Sequence, residues 1–309
     1  LISLVLNGKG NKHGISKSTQ KRVLDAAKKL NYKPNQMARG LRIGRSNSIG
    51  LIVADISNPF YAYIARKMED EASLHGYNLF ICSSDEKEMK EVQLIRMMVE
   101  RQVDGLVISS TQSNAAHFSE LRKQNYPFVL IDRGFPRLKA NNVLVDNFGG
   151  AKKLTDHLID QGYTNPALIS VSPGHISSLR DRKAGFIESL HQHKLSLHTN
   201  HIVEVPFDDI TNGTETAVKR IMSGKNPPNA FFTANNYLAT AAMLALKKIG
   251  KRIPIDVALA TFDNIELFGM SDPPITAISQ PRENIAKNAV KLLMNAIEYK
   301  GAGNEYEKI

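Results

Sequence analysis

From Ile49 onward the apolar positions fall into short β-branched runs, SIGLIVA, YNLFICS, DGLVISS, PFVLIDR and NVLVD. After Asn147 the pattern restarts with PALISVS, HIVEV, AFFTA and VALATFD. Between the runs lie stretches with apolar residues at helical spacing, among them FYAYIARKMEDEASLHG, KEMKEVQLIRMMVERQ, FGGAKKLTDHLIDQG and YLATAAMLALKKIG. Apolar strands alternating with helices predict parallel sheets covered on both faces. Nine strands in two runs predict two similar α/β lobes, with a closed eightfold barrel as the alternative. The first fifty residues follow another rule. ISKSTQKRVLDAAKKLNYKP reads as a helix over residues 16–30. Ser16 is its N-cap, Val23, Leu24, Ala27 and Leu30 form its apolar stripe, and Pro34 stops it. LISLVLNG reads as the last turns of another helix, ended at Asn7-Gly8.

Charge sharpens that division. Residues 1–50 hold eleven of the 40 Lys and Arg and one of the 30 Asp and Glu, so the formal excess of +10 lies wholly within them. A basic front carrying helical periodicity points to a polyanion, most simply nucleic acid. The single cysteine, Cys82, excludes an internal disulfide. No signal peptide or bilayer-spanning apolar run is present, which implies a reducing, cytoplasmic setting and no membrane partner.

In open α/β sheets ligands bind beyond the carboxyl ends of strands. Those ends carry Asn58, Phe60, Asp132 and Arg133 in the first run, and Asp146, Asn235, Asn236 and Asp263 in the second. Paired carboxylates and amides beside an aromatic ring suit a polyhydroxylated or heterocyclic ligand. The plainer reading of any one of them is a turn or cap residue. No Walker loop, nucleophile elbow or Gly-rich dinucleotide turn is found, so an enzyme is not predicted. His191, His193, His198 and His201 crowd into HQHKLSLHTNH, yet no acid or Cys completes a zinc spacing, and no metal or cofactor is expected.

The ordered motifs resemble the lactose-repressor (LacI/GalR) family of bacterial transcription regulators. SLVLNGKG and ISKSTQKRVLDAAKKLNYKPNQMARGLRIGRSNSIGLIVADISNPFY resemble the end of that family's helix-turn-helix headpiece, its hinge and its first core strand. VDGLVISS, IDR, VDNFGGA, RKAGF, FTANNYLATAAMLAL, VALATFDN and TAISQPRE follow in family order. The resemblance implies a two-lobed periplasmic-binding-protein-like core of two parallel doubly wound sheets, preceded by an incomplete all-α headpiece. It places the headpiece at residues 1–34, the hinge at 35–48 and the core at 49–309. The amino lobe is then about 49–146 plus 281–302, and the carboxyl lobe about 147–280 plus 303–309.

For DNA, the resemblance implies contacts by Ser3, Asn7 and Lys9. In the hinge, Asn35 would cap a short helix, Ala38 would allow two such helices to approach, and Arg39 and Arg42 would meet phosphates. Leu41 stands where the family inserts a wedge into the minor groove. For a small-molecule effector it implies Asn58, Phe60, Asp132, Asp146, Arg182, Phe207, Asn236, Asp263 and Gln280. Helix 59–75 resembles the family's dimer-forming helix. The resemblance thus implies a regulator, expected to be a repressor, acting as a homodimer on palindromic operator DNA. Its effector is a sugar or sugar phosphate first and a purine second. A periplasmic-type sugar-binding protein is the alternative. Two departures stand out: Leu4 occupies a position where many members place arginine, and both ends of the family's sequence are expected to extend beyond this chain.

Overall fold

The computed structural model describes residues 1–6, 8–32 and 45–299, together with the backbone of 306–308. It divides into two compact units, residues 1–47 and 48–309.

The first unit contains helix α1 (Ile2–Leu6), a 3-10 turn at Asn11–His13 and helix α2 (Lys17–Lys29). Ser16 caps α2 as its sequence position requires, its hydroxyl accepting from the Thr19 amide at 3.3 Å. The Gln20 amide donates to Asn11 Oδ1 (2.9 Å) and the Ile15 carbonyl (2.7 Å), tying turn to helix. Val5 is the buried apolar side chain among the unit's described residues, while Leu24 and Leu30 are exposed. Ser3 and Lys9 lie on the surface. Asn7, Asn35, Ala38, Arg39, Leu41 and Arg42 fall outside the described residues.

The second unit holds two all-parallel sheets. The first contains β1 (Ser48–Val53), β2 (Asn78–Ser83), β3 (Gly105–Ile108), β4 (Phe128–Ile131) and β5 (Asn141–Leu144). The second contains β6 (Pro166–Ser172), β7 (Ile202–Pro206), β8 (Ala230–Thr233), β9 (Ala258–Phe262) and β10 (Thr276–Ile278). Their orders, β5-β4-β3-β1-β2 and β10-β9-β8-β6-β7, are the same winding repeated. Two open sheets replace the barrel alternative. A last strand, β11 (Tyr306–Lys308), pairs in parallel with β5. This corrects the assignment of residues 303–309 to the carboxyl lobe: the open edge of β5 takes the strand into the amino lobe's sheet.

The helices are α3 (Pro59–Leu74), α4 (Glu88–Glu100), α5 (Ala116–Lys123), α6 (Asn147–Asp160), α7 (Ser177–Gln192), α8 (Ile210–Met222), α9 (Asn236–Lys248), α10 (Glu266–Met270) and α11 (Arg282–Glu298). Central strands are buried on both faces, which is why they read as unbroken apolar runs. In β1, Ile49, Leu51 and Val53 pack with Ile64 and Met68 of α3 and Ile285 and Leu293 of α11. Ile52, on the opposite face, packs with Ile95 and Met98 of α4 and Phe118 of α5. Successive Cβ atoms alternate across the strand, so one run supplies two cores. In the second lobe, Phe231 and Phe232 of β8 join Leu154, Phe186 and Leu238 from α6, α7 and α9. The chain passes between lobes near residues 146 and 280, and α11 packs back into the first lobe. No helix among the described residues is long and apolar enough to cross a membrane.

Candidate ligand cleft between the lobes

The loops beyond the carboxyl ends of the strands converge on a cleft that takes side chains from both lobes. Asp55, Asn58, Phe60 and Tyr61 come from the β1–α3 connection, Glu86 from beyond β2, and Asp132 and Arg133 from beyond β4. The other wall is built from Arg182, Phe207, Asn235, Tyr237, Asp263 and Gln280. Asp132 and Asp263 occupy equivalent places, each following the fourth strand of its lobe, and each has a left-handed backbone (φ 61° and 71°). Asp tolerates that region at a cost of order 1 kcal/mol, and such costs persist where the surroundings fix the chain. The repeated winding thus aims one carboxylate from each lobe into the same space.

Each carboxylate is held by its own lobe. The Tyr61 hydroxyl donates to Asp132 Oδ2 at 2.7 Å. Burial raises the Tyr61 phenol well above its ordinary value. Arg133 makes a two-pronged pair with Glu86, Nη1 to Oε2 measuring 2.6 Å. Opposite, the Gln280 amide donates to Asp263 Oδ1, and Arg182 Nη1 lies 3.6 Å from Oδ2. Arg182 also donates to Asn147 Oδ1 (2.8 Å) and the Ala234 carbonyl (2.7 Å), its guanidinium 3.8 Å from the centre of the Phe262 ring. Burial pushes the Asp263 carboxyl up, although Arg182 and Gln280 pull it down.

Two amides bridge the lobes. Asn58 caps α3, its Oδ1 accepting from the Phe60 amide (3.0 Å) and also from Asn236 Nδ2 (3.2 Å). Tyr237 reaches across to Asp55 and Ser57. The opposite flank closes through the Gly134 amide donating to Ser177 Oγ (3.0 Å) and His175 Nε2 against the Thr111 carbonyl (3.1 Å). The lobes are drawn together: about 40 Å³ remains between these side chains, room for a water or two. Ligand pockets usually offer roughly 300 Å³ or more. The buried acceptors Asn236 Oδ1 and Gln280 Oε1 have no donor among the described residues.

A sequence profile of the family described as "Periplasmic binding proteins and sugar binding domain of LacI family" matches residues 46–309. The chain belongs to the LacI family. The ribose operon repressor of Halalkalibacterium halodurans is 32% identical over 97% of this chain and 86% of its own, so that match reaches well into the first 45 residues. The HTH-type transcriptional repressor PurR of Aliivibrio salmonicida is 30% identical over 93% of this chain and 85% of its own. Among solved structures, a Burkholderia thailandensis protein provisionally described as a ribose operon repressor superposes with a TM-score of 0.77. It is 30% identical and covers 86% of this chain and 97% of its own. The chain is therefore a transcriptional regulator of the LacI family, and the periplasmic sugar-binding alternative is not favoured.

Within this LacI-family core, seven of the residues expected at an effector, Asn58, Phe60, Asp132, Arg182, Phe207, Asp263 and Gln280, line one cleft. Two expected residues sit elsewhere. Asp146 is exposed and caps α6, Oδ1 accepting from the Gly149 amide at 3.2 Å. Asn236 is buried against Asn58, and its neighbour Asn235 faces the cleft, because Asn235 is the N-cap of α9 and accepts from the Leu238 amide at 2.9 Å. Asp55, Tyr61, Glu86 and Tyr237 also line it, with Val171, Ser178 and Leu179, and are not among the residues the sequence pointed to. Asp55 stands directly after the first strand and could have been found by that rule. Glu86 could not, since its place depends on Arg133, far along the chain. No group of three or more His, Cys, Asp or Glu able to hold a metal occurs among the described residues.

Proposed function

We propose that this regulator responds to a neutral, hydroxyl-rich monosaccharide, pentose or hexose in size, bound between its lobes. The observation that carries this is a surplus of acceptors over free donors. Four carboxylates line the cleft (Asp55, Glu86, Asp132, Asp263) against two guanidiniums (Arg133, Arg182) and no lysine. Both guanidiniums already face carboxylates, and among the described residues around the cleft the unpaired buried acceptors Gln280 Oε1 and Asn236 Oδ1 outnumber the one unpaired donor, Arg133 Nε. A sugar brings a ring of O–H donors and costs no extra charge. A sugar phosphate adds two negative charges to a cleft whose formal balance is already negative. Phe60 and Phe207 supply apolar surface for a ring face. The ribose operon repressors among the relatives agree with this class.

The rest of the reading follows the family. Residues 1–47 form the DNA-binding end, a helix-turn-helix headpiece with a hinge whose Asn35, Ala38, Arg39, Leu41 and Arg42 meet a palindromic operator. Ser3, Asn7 and Lys9 lie along the headpiece contact. The protein acts in the cytoplasm as a homodimer through α3, and effector binding changes the spacing of the two hinges. The test is a thermal-shift series with ribose, arabinose, glucose and galactose, their phosphate esters, and hypoxanthine and guanine. At a concentration 100 times Kd a ligand stabilises by about 2.7 kcal/mol. A neutral sugar should raise Tm more than its own phosphate ester. Larger shifts from the esters or from the purines would overturn the assignment.

A further inference from the structure

The first turns of α3 and α9 meet across the mouth of the cleft, one from each lobe. Each is fixed by a capping asparagine, Asn58 and Asn235, whose side-chain oxygens accept from Phe60 and Leu238 amides. This geometry sets Tyr237 opposite the Asp55–Ser57 turn. The Tyr237 hydroxyl donates to Asp55 Oδ2 at 2.9 Å and lies 3.0 Å from Ser57 Oγ. Ser57 in turn gives both its amide (2.9 Å) and its hydroxyl (2.7 Å) to Asp55 Oδ1, which locks the acceptor in place. Ser57 is exposed and Asp55 and Tyr237 are half-buried, whereas Asn58, Asp132, Arg182, Asp263 and Gln280 are buried. The three-residue cluster therefore occupies the rim and the buried side chains the floor.

We propose that Tyr237 is a clasp that holds the lobes shut across the cleft mouth, and that it sets how fast the effector leaves and how large an effector is admitted. The second half of this rests on the sugar reading above; the first half does not. The contact spans the mouth of the cleft, so a sugar enters and leaves only while it is broken. A substituent projecting from the ring toward the rim would occupy the place of the Tyr237 hydroxyl, which confines the effector to single sugar rings. Burial, followed by the neighbouring Asp55, lifts the Tyr237 phenol to about 12, so it stays a donor throughout the ordinary pH range.

The test uses the full chain with Cys82→Ser as background and a reporter thiol, Ser178→Cys, on the buried floor of the cleft. A thiol reagent reaches that position only when the lobes part. Without any sugar, Tyr237→Phe should raise the labelling rate about tenfold or more, the factor expected when a hydrogen bond to a carboxylate is lost. Asp55→Asn, which keeps an acceptor, should restore most of the protection that Asp55→Ala loses. In the background without the reporter, the off-rate of the best-stabilising monosaccharide should rise by a similar factor in Tyr237→Phe. Tyr237→Ala should then bind cellobiose, which the parent chain should not. An unchanged labelling rate overturns the clasp, whatever the sugars do. A labelling rate that rises in a protein answering no neutral sugar upholds the clasp and sinks the sugar assignment.

Discussion

Asp263 combines a buried carboxyl, a left-handed backbone (φ 71°) and a guanidinium 3.6 Å away. Burial raises its proton affinity above that of the unfolded chain, although Arg182 and Gln280 pull the other way. A raised value means that the stabilising contribution is complete below the ordinary Asp range and is lost as pH climbs through the folded value. At neutral pH the charged form is therefore a net cost. Asn mimics the protonated acid, accepts the same Gln280 hydrogen bond and tolerates φ near +70°. Asp263→Asn should consequently raise the sugar-free Tm, each kcal/mol relieved adding roughly 2–4 °C in a chain of this size. It should also weaken effector binding severely, since a strong acceptor is lost. A lower Tm would mean that the Arg182 pairing outweighs the burial cost. Residues held at such a cost mark a site built for a ligand rather than for stability.

At the level of elements, much of the architecture was legible and its exceptions are physical. The nine runs that read as strands are all strands, because residues such as Leu51, Val107 and Val129 are buried in sheets covered on both sides. The strands β10 and β11 span three residues each, too short for periodicity to register. For the site, a polar residue following an apolar run found Asn58, Asp132 and Asp263. It could not separate Asn235 from Asn236, whose roles are decided by which one caps α9. Nor could the run RKAGF explain its glycine. A Cβ at Gly185 would lie 2.3 Å from the Phe148 carbonyl and 3.0 Å from the Lys152 amide, so α7 approaches the backbone of α6 directly. Elsewhere in a helix Gly→Ala gains about 0.5–1 kcal/mol. Here the helices must part, and Gly185→Ala should instead cost about 1–3 kcal/mol. Urea unfolding checks the sign, and a stabilised variant would refute the close approach. Arg182 lies on the same helix, so effector affinity should fall alongside stability.

On the scale of the whole molecule, charge and shape divide the work. The formal excess of +10 sits in residues 1–50 and the remainder is balanced, so electrostatic attraction to DNA should come from one end of the chain. Phosphate neutralisation releases counterions, and log K then falls with log salt at a slope of about −0.9 per contact. If Arg45, exposed in the first unit and within the expected hinge, meets phosphate alongside Arg39 and Arg42, Arg45→Ala in the intact dimer should flatten that slope. The change should be about 2, one contact per protomer, with operator and non-specific DNA losing affinity alike. Lys225, an exposed lysine of the carboxyl lobe, should leave the slope unchanged when replaced by Ala. Leu41 provides the contrast: if it acts as the proposed wedge it brings no charge, so Leu41→Ala should lower operator affinity while the slope stays put. Binding measured between 50 and 200 mM salt separates the three outcomes. Equal slopes for Arg45→Ala and the parent chain would move the phosphate contacts away from the junction. An altered slope for Lys225→Ala would show that the core, despite its zero balance, lies against the duplex.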